Sequence, residues 1–170
     1  MNWEAVTAIT ELVGLALVVA SVIYIAIQNK RTNEHATASS EIAWINAWNH
    51  ILNSWVSDER TTSIIRRGFH SFDGLDPSEQ AVFHMRVGAL VNQWLVIRKL
   101  NEKHLVGQDM VDEATKVVVA TLATDGGFEF FEHDWKLFPG GAELLDLVES
   151  SKGNEPNLTD LLPWWSDNLS

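Results

Sequence analysis

Glu129, Glu132, His133 and Asp134 form the densest candidate set of metal-ligating side chains in the chain. On a helix Glu129 and His133 would be neighbours on one face, and such a pair could take a divalent ion. The preferred reading is a solvated acidic face opposite Phe128, Phe131 and Trp135. The other histidines, His35, His50, His70, His84 and His104, include no pair spaced for a zinc-binding helix. No glutamate has a histidine three residues further on, as helical di-iron sites require. Cysteine is absent, which removes thiolate ligands, a thiolate nucleophile and any disulfide framework. There is no Gly-x-Gly-x-x-Gly, no phosphate-binding loop and no Gly-x-Ser-x-Gly. The chain therefore reads as a non-enzyme with no cofactor and no metal.

The carboxylate of most interest is Glu11, because it borders a long apolar run. From Leu12 to Asn29 there is no charged residue, and Leu12 to Ile27 reads LVGLALVVASVIYIAI. With its flanks this stretch is about 18 to 20 residues, or about 27 to 30 Å of helix, which matches the hydrocarbon core of a bilayer. One transmembrane helix is expected. At about 100° per residue, Glu4, Thr7, Thr10, Glu11, Gly14, Ser21 and Gln28 fall within roughly a 120° arc. Lipid suits the rest of the circumference; the arc needs another neighbour. Small residues let helix backbones approach, and Ser, Thr and Gln can bond across helices for roughly 0.6 to 2 kcal/mol each. Thr7, Gly14, Ser21 and Gln28 recur every seventh residue, the repeat of a left-handed bundle. Self-association through this stripe is the favoured reading, ahead of a different membrane partner. A ring of Glu11 carboxylates would also make a mouth attractive to cations.

The flanks argue against a removable signal peptide, which would begin with basic residues and end at a small-residue cleavage site. Here the first positive charges are Lys30 and Arg31, after the apolar run, and the N-terminal flank is acidic. The positive-inside rule then puts the short N-terminus outside and the larger C-terminal part in the cytoplasm. Trp3 and Tyr24 suit the two interfacial belts. The net charge is -11 and is uneven: about neutral from Thr32 to His104, strongly acidic from Leu105 to Ser170. No basic face for phosphate contacts exists, so nucleic acid is not an expected partner. Membrane lipid is.

Beyond the span the pattern is helical throughout. Trp44, Trp48, Ile51 and Trp55 recur at spacings of four, three and four, predicting a helix over about residues 41–57. Residues 30–40 could be a continuous extension of the span or a loosened hinge. A shorter helix is expected over 58–69. Asp76-Pro77-Ser78-Glu79 is a complete helix start, with an N-cap acid, proline at N1 and glutamate at N3. Phe83, Val87, Leu90, Trp94 and Ile97 lie on one stripe of the helix it opens, which should run to about Lys103. Gly107 reads as a stop, with Asp109 capping a further helix to Ala123. Asp125-Gly126-Gly127 reads as a turn, 128–138 as an aromatic helix, and 142–149 as a last short helix after Pro139-Gly140-Gly141. The expected core is Trp44, Trp48, Ile51, Trp55, Phe83, Leu90, Trp94 and Ile97. Residues 151–170 read as a disordered acidic tail carrying Leu161, Leu162, Trp164 and Trp165, a possible protein-docking motif.

Thr10-Glu11-Leu12-Val13-Gly14, Val18-Val19-Ala20-Ser21 and Tyr24-Ile25-Ala26-Ile27-Gln28 with Arg31-Thr32-Asn33 carry a resemblance. The opening of the chain is similar to a family of small bacterial proteins that pair one N-terminal transmembrane helix with a helical cytoplasmic domain. The resemblance implies that architecture and a bacterial inner membrane, not a reaction. The expected fold is all-α. It comprises a transmembrane helix (residues 1–31), a soluble helical bundle (32–150) and the tail (151–170), in a homo-oligomer. Two functions fit: a structural or interaction scaffold, or an oligomeric cation-conducting pore.

Overall fold

The computed structural model describes residues 3–151, and for residues 4–10 the backbone alone. All regular structure is helical, with no strand among the described residues. In chain order the elements are α1 (Trp3–Trp55), α2 (Glu59–His70), α3 (Pro77–Glu102), α4 (Gln108–Leu122), α5 (Asp125–Asp134), a 3-10 turn (Trp135–Leu137) and α6 (Gly141–Ser151). The chain forms two compact units, Met1–Ser39 and Ser40–Ser170.

Among the described residues the first unit is the N-terminal part of α1, and the remainder of α1, to Trp55, belongs to the second unit. Residues 30–40, open between extension and hinge, are helical. No proline or glycine interrupts α1 between Gly14 and its end, so nothing in the backbone breaks its ladder.

The second unit is a bundle built around aromatic rings. Its helix starts obey local chemistry. Asp58 accepts from the Thr61 backbone N–H at 2.8 Å and caps α2. Asp76 accepts from the N–H groups of Ser78 and Glu79 at 2.8 and 2.9 Å. Glu79 reaches back to the Asp76 N–H, which completes the capping box of α3. The stripe on α3 is the centre of the core: Phe83, Val87, Leu90 and Ile97 have no exposed surface and Trp94 has 1%. Phe83 meets Phe69 of α2 and Phe130 of α5 edge-on, at centroid distances of 5.2 and 5.8 Å. The Trp94 indole N–H donates to Thr115 of α4 at 2.9 Å, and the Arg98 guanidinium sits 4.7 Å from its ring centroid.

Four expectations are corrected. Trp48 and Ile51 are half-buried at the edge of the core, not inside it. α4 opens at Gln108 with Gly107 as its N-cap, so Asp109 lies inside the first turn and caps nothing. Gly107 starts a helix; it does not stop one. Asp125-Gly126-Gly127 is the first turn of α5, capped by the Thr124 hydroxyl, which accepts from the Gly127 N–H at 3.1 Å. The glycines are there for room: a Cβ on Gly126 would overlap the Gly68 carbonyl oxygen, and one on Gly127 the Thr121 carbonyl oxygen. Finally, the aromatic helix ends at Asp134 and tightens to a 3-10 turn before Gly140, whose φ of +76° makes the bend. The tail, with Leu161, Leu162, Trp164 and Trp165, lies outside the described residues.

Candidate functional site

The apolar stretch of α1 is open along its whole length. Leu12 is 72% exposed, Leu17 64% and Ile25 57%, and none of the most apolar window is buried. Among the described residues this is the one helix long and apolar enough to cross a membrane. Isolated exposed leucines are ordinary on a protein surface. A continuous cylinder of them is not.

Of the stripe residues, Glu11, Gly14 and Ser21 are exposed and Gln28 is half-buried. Glu4, Thr7 and Thr10 fall where the backbone alone is described, within α1. Gly14 has open space around it: a Cβ built there would meet nothing within 4 Å. Two of the polar groups are already served by their own helix. The Ser21 hydroxyl donates to the Leu17 carbonyl at 2.8 Å, and the Gln28 amide donates to the Tyr24 hydroxyl at 3.1 Å. The Ser21 side chain can therefore be buried against a neighbouring helix without orphaning its donor, and Gln28 keeps a second N–H and its carbonyl oxygen to bond across one. The Glu11 carboxylate is the stripe group that a membrane interior would tolerate least.

In the second unit the acidic set around His133 is used structurally. Glu129 accepts from the Ser71 hydroxyl at 3.2 Å and the Asp73 N–H at 3.1 Å, tying α5 to the loop after α2. Asp134 pairs with His84 of α3 at 2.8 Å. His133 donates from Nδ1 to the Glu129 carbonyl at 2.7 Å, which raises its pKa, helped by the charges of Asp73, Glu132 and Asp134. These side chains diverge, and among the described residues no three His, Asp or Glu groups are placed to hold a metal ion. The acidic-face reading is corrected to this extent: Glu129 and Asp134 are latches between elements.

Sequence reasoning missed one surface. Trp44 and Trp48 stack at 5.0 Å, and with Asp109, Met110, Glu113, Ala114 and Val117 they line an apolar groove of about 260 Å³. The Trp44 indole donates to the Gln93 carbonyl at 3.3 Å, fixing the pair. The i, i+4 spacing of the two tryptophans announces the stack. The partly exposed face of Trp48 is hidden when every tryptophan is assigned to the core. No protein-family model, curated protein or solved structure matches this chain. The resemblance carried by its opening residues therefore gains nothing from those comparisons.

Proposed function

We propose that this is a single-pass membrane protein that self-associates through its polar stripe and presents its helical bundle as a scaffold, with no enzymatic activity. The observation that carries the reading is the wholly exposed apolar length of α1, in a chain whose second unit buries its own core. Leaving a large apolar side chain in water forgoes roughly 1.5 to 3 kcal/mol, so lipid and neighbouring helices are the cover that fits. Thr7, Thr10, Glu11, Gly14, Ser21 and Gln28 form the helix–helix face. In a bacterial inner membrane the N-terminus lies outside and the bundle in the cytoplasm, because Lys30 and Arg31 come directly after the span. Gly14→Leu adds bulk where backbones approach and should break or change the oligomer, read as the mass of the detergent-solubilised protein. Val19→Leu, on the opposite face, is the control; equal masses for both would remove the stripe as the interface.

A cation pore is the second reading, favoured by one observation, the exposed carboxylate of Glu11 at the edge of the apolar run. The internal bond of Ser21 weighs against it, since that side chain does not need the water of a lumen. Protein-dependent cation flux into liposomes, reduced by Glu11→Gln, would establish the pore. Absence of flux leaves the scaffold.

A further inference from the structure

The heptad count of Thr7, Gly14, Ser21 and Gln28, carried on along the sequence, lands on His35, Ile42, Asn49 and Val56. The positions between them in the same count include Ala38, Ile45 and Leu52. In the second unit Ile42, Ile45, Asn49 and Leu52 make a ridge on α1, and Val56 follows directly after its last residue. Ile42 is 61% exposed, Ile45 44% and Val56 46%, with Asn49 exposed and Leu52 half-buried. Asn49, Leu52, Asn53 and Val56 line a shallow groove of about 420 Å³. The ridge lies roughly 120° around the helix from Trp44, Ile51 and Trp55, which face the core; Leu52 at its edge also packs against the core, while Ile42, Ile45, Asn49 and Val56 are exposed.

We infer that Ile42, Ile45, Asn49, Leu52 and Val56 form a parallel, in-register helix–helix interface with the same segment of a second copy of this chain. The inference rests on the self-association proposed above and extends it outside the span. Three observations choose a second copy as the occupant. First, the apolar positions match the a and d places of a coiled coil, with Ile42 and Val56 at a and Ile45 and Leu52 at d. Asn49 at the central a place is the residue that fixes register and pairing at some cost in stability. Second, residues 42–57 contain no Asp, Glu, Lys or Arg, in a chain of net charge -11. Two such chains repel one another through most of their surface, and this face is where they can close without like charges meeting. Third, membrane insertion in one sense brings identical residues of each copy to the same level, which selects the parallel arrangement.

The absence of native cysteine makes the test direct. Ile42→Cys, Ile45→Cys, Gly14→Cys and Ala43→Cys are each introduced into the full chain, and membranes containing the protein are treated with a mild oxidant. Ala43 is exposed on another face of α1 and reports random collision. The inference requires most of the Ile42→Cys and Ile45→Cys chains to run as disulfide-linked dimers while Ala43→Cys stays monomeric. Linking at Gly14→Cys alone would overturn the ridge and leave the stripe standing. Linking at Ile42→Cys to the same extent as Ala43→Cys would overturn it as chance contact. No linking at any position would remove self-association and this interface with it. Ile42→Asp together with Ile45→Asp should raise the concentration at which the detergent-solubilised oligomer dissociates and leave the melting of the bundle unchanged, because both side chains are exposed; an unchanged dissociation concentration would overturn the assignment.

Discussion

Leu12, Leu15 and Leu17 in the first unit lie 64 to 72% exposed, whereas Leu90, Leu122 and Leu144 in the second have no exposed surface at all. The residue type and the secondary structure are the same, so helix formation does not account for the difference. In the second unit apolar residues fall on one stripe of each helix, and the stripes of α2 to α6 close on each other around Phe83 and Phe130. In the first unit they cover the circumference outside the polar stripe, and a single helix has no inside. One region completes its own core. The other leaves its apolar surface open among the described residues.

The comparison breaks most readily at Trp94. Its ring is 1% exposed, its N–H is bonded to Thr115 and Arg98 lies over its face. Trp94→Ala should cost the second unit about 3 to 5 kcal/mol, as aromatic truncations in packed cores do. Trp48→Ala should cost much less, about 0.5 to 1.5 kcal/mol for the lost stack on Trp44, because Trp48 is half-buried. Denaturant midpoints tracked by the remaining tryptophan fluorescence separate the two. Equal losses would mean that the Trp48 edge is as closed as the centre.

A charge in the apolar stretch tests the other half of the comparison. Val19→Arg should disfavour insertion by about 2.5 to 3.5 kcal/mol at the centre of a span. Chain recovered with membranes after alkaline extraction should fall, and the thermal unfolding of the bundle should stay as it was. Undiminished membrane recovery would show that something other than apolar insertion holds the chain.

Much of this contrast is legible in residue order. The absence of charge from Leu12 to Asn29 marks the open helix, and the stripe from Phe83 to Ile97 marks the core, since burial imposes period on sequence. The capping box at Asp76 is legible because it is entirely local. The glycines at 126 and 127 read as a turn because their purpose is tertiary. They admit the Gly68 and Thr121 carbonyls, partners that lie far off in sequence or on the preceding helix. Glu129 and Asp134 look like surface charge for the same reason: Ser71, Asp73 and His84 are not their neighbours until the chain folds. The ridge from Ile42 to Val56 is obscured by the tryptophans interleaved with it, and two faces on one helix separate only when burial is known.

The smallest expected effect sharpens the comparison by pH, since the apolar stretch from Leu12 to Asn29 has no carboxylate and the second unit's helix starts depend on them. The Asp76 carboxyl is held below its usual range first by the Glu79 backbone N–H and then by the Ser78 hydroxyl. Glu79 is lowered chiefly by its paired bonds from Arg67, at 2.6 and 3.1 Å, and Asp58 by the Thr61 N–H. A carboxyl whose folded pKa lies below its unfolded one stabilises the fold above the unfolded value, and the contribution is lost as pH falls through the folded value. Unfolded carboxyls titrate near about 3.9 to 4.3, so these groups should lower the bundle's melting temperature below about pH 5, while the raised His133 contributes stability that is lost as pH rises above about 6.5. Asp76→Asn keeps an N-cap acceptor of the same shape and removes the titrating group. It should change the melting temperature little at neutral pH and make the acid decline shallower. An acid decline as steep as that of the unsubstituted chain would assign it to Asp58 and Glu79, and the cap of α3 would then be held by its hydrogen bonds in either protonation state.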